Sequence, residues 1–148
     1  MSISASIDVK LVHNSDTTVV SIIDFLFKNG WEIYMNGKVV YLPFGDDGEY
    51  NWIAENITQV DLYKIVRMKE ENNEVVGIEL SYKGTKIGGE LLAFNSNELS
   101  FNISINQRFL DTVDSLRIVD VNWYVEKLIA CLGSKFVVEQ FSFEQFSS

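Results

Sequence analysis

The sequence predicts an α+β fold, a mainly antiparallel sheet with about three to four helices packed on it. Three observations predict it: stretches in which apolar and polar residues alternate, stretches in which apolar residues recur at helical spacing, and turn dipeptides between them. The chain has 148 residues, 47% of them hydrophobic, with a single Pro and no linker rich in Gly, Ser or Pro. A chain of this length buries a core of its own. We therefore expect one domain spanning residues 1–148.

The first third predicts a strand, a helix and a hairpin. Apolar and polar residues alternate over residues 3–11, which is the period of a strand with one solvated face. Residues 14–16 (Asn-Ser-Asp) offer side-chain oxygens that can cap a following helix, and Asn29-Gly30 favours its end. Asn36-Gly37 favours a type I′ turn because both residues accept positive φ. The segments predicted to pair across that turn are residues 31–35 and 38–42.

The middle of the chain predicts a helix followed by a three-stranded meander. Thr58 and Asp61 have the spacing of a capping box, which favours a helix over residues 59–71, although the same residues can also be read as a strand. The period of two returns over residues 76–105, interrupted by two turns. Within the second of these strands, Gly88-Gly89 indicates a bulge or a close backbone approach.

The last third predicts one helix and one strand. The helix begins at Asp120 and ends at Gly133, and we expect Trp123 and Tyr124 in its first turn to pack in the core. The strand is expected around residues 136–143. Three Phe residues close to the C-terminus make this strand a candidate for pairing with a partner chain or a second copy. They are Phe141, Phe143 and Phe146.

Composition and charge exclude several function classes. The net charge of −9 argues against direct binding of nucleic acid, which depends on Lys and Arg, and favours a basic partner. Cys131 has no second Cys to pair with, and together with His13 it falls short of the four ligands of a structural zinc. No apolar run approaches the roughly 18 residues that span a membrane, and the N-terminus lacks a targeting pattern. We therefore expect a cytoplasmic protein without membrane contact, metal or cofactor.

The acidic loop, residues 43–52, is the strongest candidate for a functional segment. No Lys or Arg occurs between Lys38 and Lys64, whereas the loop adds carboxylates, glycines and aromatic residues. Exposed carboxylates beside aromatic anchors suit recognition of a basic protein surface, although a solvated connection is the alternative. The spacing of Asp46-Asp47-Gly48-Glu49 does not match a calcium loop. The candidate partner-binding residues are Asp46, Asp47, Glu49, Tyr50, Trp52 and Glu55.

Five local sequence patterns, in a fixed order along the chain, carry a resemblance to a known class of protein. They are Trp52-Ile53, Val76-Gly77-Ile78, Gly88-Gly89, Phe101-Asn102-Ile103-Ser104 followed by Asn106-Gln107-Arg108, and Asp120-Val121-Asn122-Trp123-Tyr124. In this layout, which covers roughly two-thirds of the chain, the protein resembles small acidic immunity proteins of bacterial contact-dependent growth inhibition and polymorphic toxin systems. The resemblance implies a cytosolic protein that binds a toxin domain delivered by a neighbouring cell and blocks its active site or substrate surface.

Two other function classes remain open at this point. A self-associating or adaptor module without catalytic activity would use the aromatic C-terminal strand. A small enzyme would need a pocket lined by several carboxylates with separated pKa values. Charge, acidic loop and resemblance together predict an immunity-type protein that neutralises a basic, nuclease-type toxin and is not itself an enzyme.

Overall fold

The computed structural model describes residues 2–110 and 117–147, without the side chains of Tyr34 and Met35. Within these residues nine strands form one sheet, and every pairing in it is antiparallel. Residues 1, 111–116 and 148 of the predicted domain lie outside the described part. The strands are β1 (Ile3–Leu11), β2 (Trp31–Glu32), β3 (Tyr34–Met35), β4 (Lys38–Tyr41), β5 (Ile53–Glu55), β6 (Val76–Tyr82), β7 (Gly88–Asn95), β8 (Glu98–Ile105) and β9 (Val138–Ser147).

The sheet order is β3-β4-β6-β7-β8-β1-β9, with β2 beside β6 and β5 beside β4. The helices are α1 (Val19–Lys28), α2 (Gln59–Glu71), α3 (Val121–Tyr124) and α4 (Ala130–Gly133), and a π-helical turn (Val125–Ile129) joins the last two. This confirms the predicted α+β class, and α2 resolves residues 59–71 as helix. No helix of the described residues combines the length and the apolar character that crossing a bilayer would require.

Local capping explains where the first two helices begin. The Thr58 hydroxyl accepts from the Asp61 amide at 3.1 Å, so the predicted capping box starts α2. The N-cap of α1 is Thr18, whose hydroxyl accepts from the Ser21 amide at 3.1 Å, and not one of residues 14–16. Those residues form a turn instead, because the Asn14 side chain accepts from the Asp16 amide at 2.9 Å.

The predicted hairpin is present but shorter than expected. Asn36 and Gly37 have φ of 56° and 78°, as a type I′ turn requires, and they connect β3 to β4. Trp31 and Glu32 do not extend this hairpin; they pair with β6 instead. The reason is the fully buried Trp31 ring, which packs edge-on against Tyr82 at the end of β6, with ring centroids 5.2 Å apart.

The helices cover one face of the sheet, which we call the helix face. Alternate residues of β1, from Ala5 to Leu11, are buried there in a core that also includes residues of all the helices. Trp31 donates from Nε1 to the Lys127 carbonyl at 3.0 Å, which bonds the sheet to the π-helical turn between α3 and α4. Tyr124 is fully buried and Trp123 is partly buried against this core, as predicted. The remaining side chains of each strand point to the opposite side of the sheet, which we call the open face.

Backbone contacts explain the Gly88-Gly89 pair in β7. A Cβ on Gly88 would lie 2.1 Å from the Leu80 carbonyl oxygen, and one on Gly89 would lie 2.0 Å from the Asn102 carbonyl oxygen. The register between β7 and β8 shifts at this point, so both the predicted bulge and the predicted close approach are present. Side chains at either position would force neighbouring strands apart.

The final strand lies further along the chain than predicted. It begins at Val138 and continues to Ser147, whereas residues 136–143 were expected. Phe136 is not part of it because its amide donates to the Leu132 carbonyl at 2.8 Å, which closes the preceding helical turn. Its ring packs edge-on against Phe25 of α1 at a centroid distance of 5.6 Å. β9 pairs with β1 and forms one edge of the sheet.

Candidate functional site

The acidic loop connects β4 to β5, and one buried lysine of α2 bonds to the start of its backbone. Lys69 of α2 is only 1% exposed, and its Nζ donates to the carbonyls of Leu42 and Pro43 at 3.1 and 2.8 Å. Glu74 lies 3.6 Å from the same Nζ and accepts from the Gly45 amide at 2.9 Å. Burial lowers the pKa of the Lys69 ammonium, and the neighbouring Glu74 and Asp46 carboxylates oppose that shift. The start of the loop is therefore fixed to α2 through charge-assisted hydrogen bonds.

Asp46 fixes the rest of the loop from within. It is buried, with 8% of its surface exposed, and its two carboxylate oxygens accept from the amides of Tyr50 and Asn51 at 2.8 and 2.9 Å. The expectation that Asp46 is an exposed carboxylate is therefore wrong, because both of its oxygens serve backbone donors. The turn it closes places Asp47 and Tyr50 at positive φ, 52° and 57°, which non-glycine residues adopt only when surrounding contacts hold them there.

The tip of the acidic loop, which we define as Asp47, Glu49 and Tyr50, is exposed. Tyr50 shows 44% of its surface, and Phe44 at the start of the loop shows 45%. Glu49 accepts from the Asn51 side-chain amide at 3.1 Å, which orients its carboxylate. These three predicted site residues share one exposed turn, and Phe44, which the sequence analysis did not select, is exposed in the same loop.

Trp52 packs against the sheet and is only partly exposed. A Cβ on Gly77 of β6 would lie 2.6 Å from Leu42 Cδ1 and 2.8 Å from Trp52 Cη2, so both side chains lie directly over this glycine. Gly77 is on the open face, because Val76 and Ile78 on either side of it belong to the helix-face core. Leu42 and Trp52 therefore attach the two ends of the acidic loop to the open face, while Lys69 of α2 fixes its start from the helix side.

Glu55, the last predicted site residue, is separated from the others. It lies at the end of β5 and accepts from the Tyr41 hydroxyl at 2.9 Å. Burial, together with the bond to Glu55, raises the pKa of Tyr41 to about 12. Tyr41 pairs with Ile78, a helix-face residue, so this carboxylate belongs to the other side of the sheet from Trp52.

Two carboxylates that the sequence analysis missed face each other on the open face. Glu79 of β6 is directly opposite Glu90 of β7, and Glu90 accepts from the Asn102 side-chain amide at 2.8 Å. Partial burial, with the neighbouring Glu90 charge, raises the pKa of Glu79. Like charges directly opposite across two strands are destabilising. The alternation in the sequence places both residues on one face, but the register that pairs them is not a local signal.

Negative charge is unevenly distributed over the molecule. The described helices carry equal numbers of basic and acidic residues, so the whole net charge of −9 lies outside them. On the open face of β1 and β8, Asp8 and Glu98 add to the glutamate pair, and Lys10 stands opposite Glu98. On the open face these carboxylates outnumber Lys10, and the exposed loop tip adds Asp47 and Glu49. We refer to the loop tip and the open face together as the acidic side.

The other chemistry-bearing residues are not gathered into one site. His13 is exposed and lies in the lining of a cleft of about 350 Å³ between the end of β1 and the start of α1. Burial raises the pKa of the Cys131 thiol, which lies on the last helix. The described residues contain no group of three or more His, Cys, Asp or Glu side chains placed to hold a metal ion.

Comparison with known proteins gives no relative from which a role could be transferred. No protein-family model matches the chain, and no curated protein and no solved structure matches it.

Proposed function

We propose that the protein is an immunity-type inhibitor that binds a cognate basic toxin domain through its acidic side and covers the active or substrate-binding surface of that domain. The observation that carries the proposal is the acidic loop, in which the buried Asp46 and, from α2, the buried Lys69 fix the backbone that presents an exposed acidic and aromatic tip. The alternative of a solvated connection does not explain why two buried ionic groups serve this one loop.

Preorganisation supports a binding role for the loop tip. A flexible loop loses conformational entropy when it binds, whereas a loop already held in one conformation loses little. Four hydrogen bonds from the side chains of Lys69 and Asp46 reach the backbone between Leu42 and Asn51. Asp47, Glu49 and Tyr50 are therefore presented in fixed positions before any partner arrives.

The charge distribution supports a basic partner. An acidic surface speeds encounter with a cationic one and suppresses wrong partners. The opposed Glu79 and Glu90 side chains repel each other in the unbound protein, and an Arg or Lys of a partner placed between them would relieve this repulsion. The same reasoning suits an inhibitor of a nuclease, because carboxylates can take the place of the phosphates that such an enzyme binds.

Two exposed aromatic side chains of the loop supply apolar contact area for binding, which the carboxylates do not provide. Phe44 and Tyr50 flank the loop carboxylates, and each is close to half exposed. Aromatic residues carry a large share of the binding energy in protein interfaces, whereas charges at the rim act mainly on the association rate. We therefore assign affinity to the aromatic pair and steering to Asp47 and Glu49.

The proposed setting is the cytoplasm of a bacterium that exchanges toxins with its neighbours. There the protein would bind the toxin domain directly, with no direct contact to nucleic acid and no catalytic step of its own. This setting is the one implied by the resemblance to immunity proteins of contact-dependent growth inhibition systems, and the acidic side is compatible with it.

Capture followed by rescue tests the proposal. The tagged chain is used to capture proteins from a lysate of its source at low and at moderate salt, and each captured chain is identified by mass spectrometry. A basic domain recovered in equal amount is then expressed in a bacterial host with and without this chain. We expect growth arrest by the domain alone and growth when both are present. A captured domain whose toxicity is unaffected by the chain would contradict the proposal.

A pair of matched double variants then tests the surface. Asp47→Asn with Glu49→Gln removes two charges from the loop tip, and Glu71→Gln with Glu126→Gln removes two exposed charges from the helices. Titration calorimetry with the captured domain is expected to show affinity lower by on the order of ten-fold, with a weaker salt dependence, for the loop variant alone. Equal losses in both variants would show that only total charge matters and would contradict the assignment to the loop.

A further inference from the structure

The edge strand β9 is paired on one side only. It is ten residues long and pairs with β1; the described residues include no strand on its outer side. Residues 138–147 contain no Lys or Pro, two residues with which natural proteins commonly protect an edge, and their charges are those of Glu139 and Glu144. Phe141 and Phe146 are 44% and 64% exposed. A long edge strand with exposed aromatic side chains and few charges is a template for pairing with another strand.

Two backbone bonds from the end of β1 show how its hydrogen bonds alternate. The Leu11 amide donates to Asn97, towards the β8 side, at 2.8 Å, whereas the Val12 amide donates to Val137, towards the β9 side, at 2.8 Å. Because successive residues of a strand direct their backbone groups to opposite sides, the even-numbered residues of β1 bond to β9. Asp8 is one of them.

This alternation identifies the backbone groups of β9 that are not directed towards β1. Asp8 is opposite Ser142, so the backbone of Ser142 is directed towards β1. The backbone N–H and C=O groups of Phe141 and Phe143 are consequently directed outwards, away from the sheet. The irregularity in the β1–β9 register lies before Gln140, outside this stretch.

We propose that β9 pairs with β9 of a second copy of this chain, antiparallel and centred on Ser142, to give a two-fold symmetric dimer with one continuous sheet. In this register Phe141 and Phe143 exchange backbone hydrogen bonds with Phe143 and Phe141 of the second copy. Their side chains form cross-strand aromatic pairs, which stabilise a sheet. Gln140 stands opposite Glu144 of the second copy, so no two charges of like sign are directly opposed.

Neighbouring registers that keep the same faces together are less complementary. A shift of two residues in either direction replaces the two Phe141–Phe143 pairs with a single aromatic pair, Phe141 with Phe141 or Phe143 with Phe143. One of the two shifts also sets Phe141 against Gln145. The Gln145 side chain is already engaged, because it donates to the Arg117 carbonyl at 2.7 Å and accepts from the Val119 amide at 2.9 Å. The register centred on Ser142 is therefore the one that keeps both aromatic pairs.

The dimer is independent of the proposed function. β9 is at one edge of the sheet, whereas β4 and β5, which flank the acidic loop, are at the other. Pairing of β9 therefore leaves the acidic side uncovered. The two associations also respond to salt in opposite directions, because two copies with a charge of −9 each repel one another and salt screens that repulsion.

Disulfide trapping tests the register in the full-length chain. In a Cys131→Ser background, Ser142→Cys places two thiols at a non-hydrogen-bonded pair, where Cα atoms are about 4.5 Å apart and a disulfide can form. Gln140→Cys, on the same strand and face, places them about 13 Å apart in the proposed register. We expect Ser142→Cys to form the disulfide dimer at least ten-fold faster under mild oxidation. Equal rates for the two variants would overturn the proposal.

Sedimentation equilibrium gives a second readout without cysteines. The unmodified chain is expected to pass from one to two chain masses as concentration rises, and to do so at several-fold lower concentration in moderate than in low salt. Phe141→Lys removes the aromatic pair and adds a protecting charge, so it is expected to remain monomeric with an unchanged circular dichroism spectrum. A single chain mass at every concentration for the unmodified chain would also overturn the dimer.

Discussion

The acidic loop and the β9 edge are both aromatic and acidic segments at the surface, yet they are fixed in opposite ways. In the loop the backbone is occupied: the side chains of Lys69 and Asp46 bond to it, and what remains exposed is a set of side chains. In β9 one row of backbone groups is occupied by β1 and the other row is directed outwards. Similar composition therefore produces two different kinds of surface.

This difference determines what each segment can recognise. A loop with a satisfied backbone recognises a partner through the shape and charge of its side chains, so its binding is sensitive to salt and to the partner's charge. An edge strand recognises another strand through backbone hydrogen bonds, with side chains setting only the register. We expect the loop to select a basic protein and β9 to select a second copy.

The largest effect is expected from removing the buried cation beneath the loop. Lys69→Met keeps the apolar stem but leaves the Leu42 and Pro43 carbonyls without their donor and Glu74 without its cation. We expect the free energy of unfolding, measured in urea, to fall by about 3 kcal/mol. Lys64→Met, at an exposed position of the same helix, is the control and should change it by less than about 0.5 kcal/mol. Equal small changes would contradict the anchoring role of Lys69.

A smaller change in the free energy of unfolding is expected to distinguish two neighbouring aspartates of the loop. Asp46→Ala removes the acceptor of the Tyr50 and Asn51 amides and is expected to lower the free energy of unfolding by about 2 kcal/mol. Asp47→Ala, at the exposed tip, should change it by less than about 0.5 kcal/mol. Urea unfolding of both variants checks the contrast. If the two variants were equally stable, Asp46 would not be the residue that fixes the loop.

The smallest expected effect concerns the glutamate pair on the acidic side. Partial burial and, second, the neighbouring Glu90 charge raise the pKa of Glu79 in the folded state. The burial of the ionised Glu79 side chain and its repulsion from Glu90 therefore lower stability as pH rises from the unfolded value of about 4.3 through the raised pKa. Glu79→Gln removes this repulsion and should raise the free energy of unfolding at pH 7 by about 0.5 kcal/mol, with no gain at pH 4. Glu139→Gln on β9 is the matched change and should give no gain at either pH.

Local signals in the sequence were sufficient for much of the fold. The Thr58 capping box, the Asn36-Gly37 turn and the Asp120 cap each act within a few residues, and all three are present in the structure. The pairing of β2 with β6 was not predicted, because it depends on where the Trp31 ring is buried. Such long-range packing cannot be inferred from the residues that neighbour Trp31 in the sequence.

The candidate site was predictable only in part, for the same physical reason. Asp46 and Asp47 are identical neighbours in the sequence, yet one is buried under the loop and the other is exposed. Lys69 resembles any other lysine of an amphipathic helix, and its partners lie 26 and 27 residues away. The alternation of polar residues in β6 and β7 places Glu79 and Glu90 on one face, but only the register brings them opposite each other.

Amide hydrogen exchange, followed residue by residue at low and at high protein concentration, tests the comparison between loop and edge most directly. We predict that the amides of Tyr50 and Asn51 are protected at both concentrations, because the Asp46 carboxylate accepts from them. The amides of Phe141 and Phe143 should exchange rapidly at low concentration and become protected at high concentration. Rapid exchange of Tyr50 and Asn51, or the same protection of Phe141 and Phe143 at both concentrations, would contradict the account.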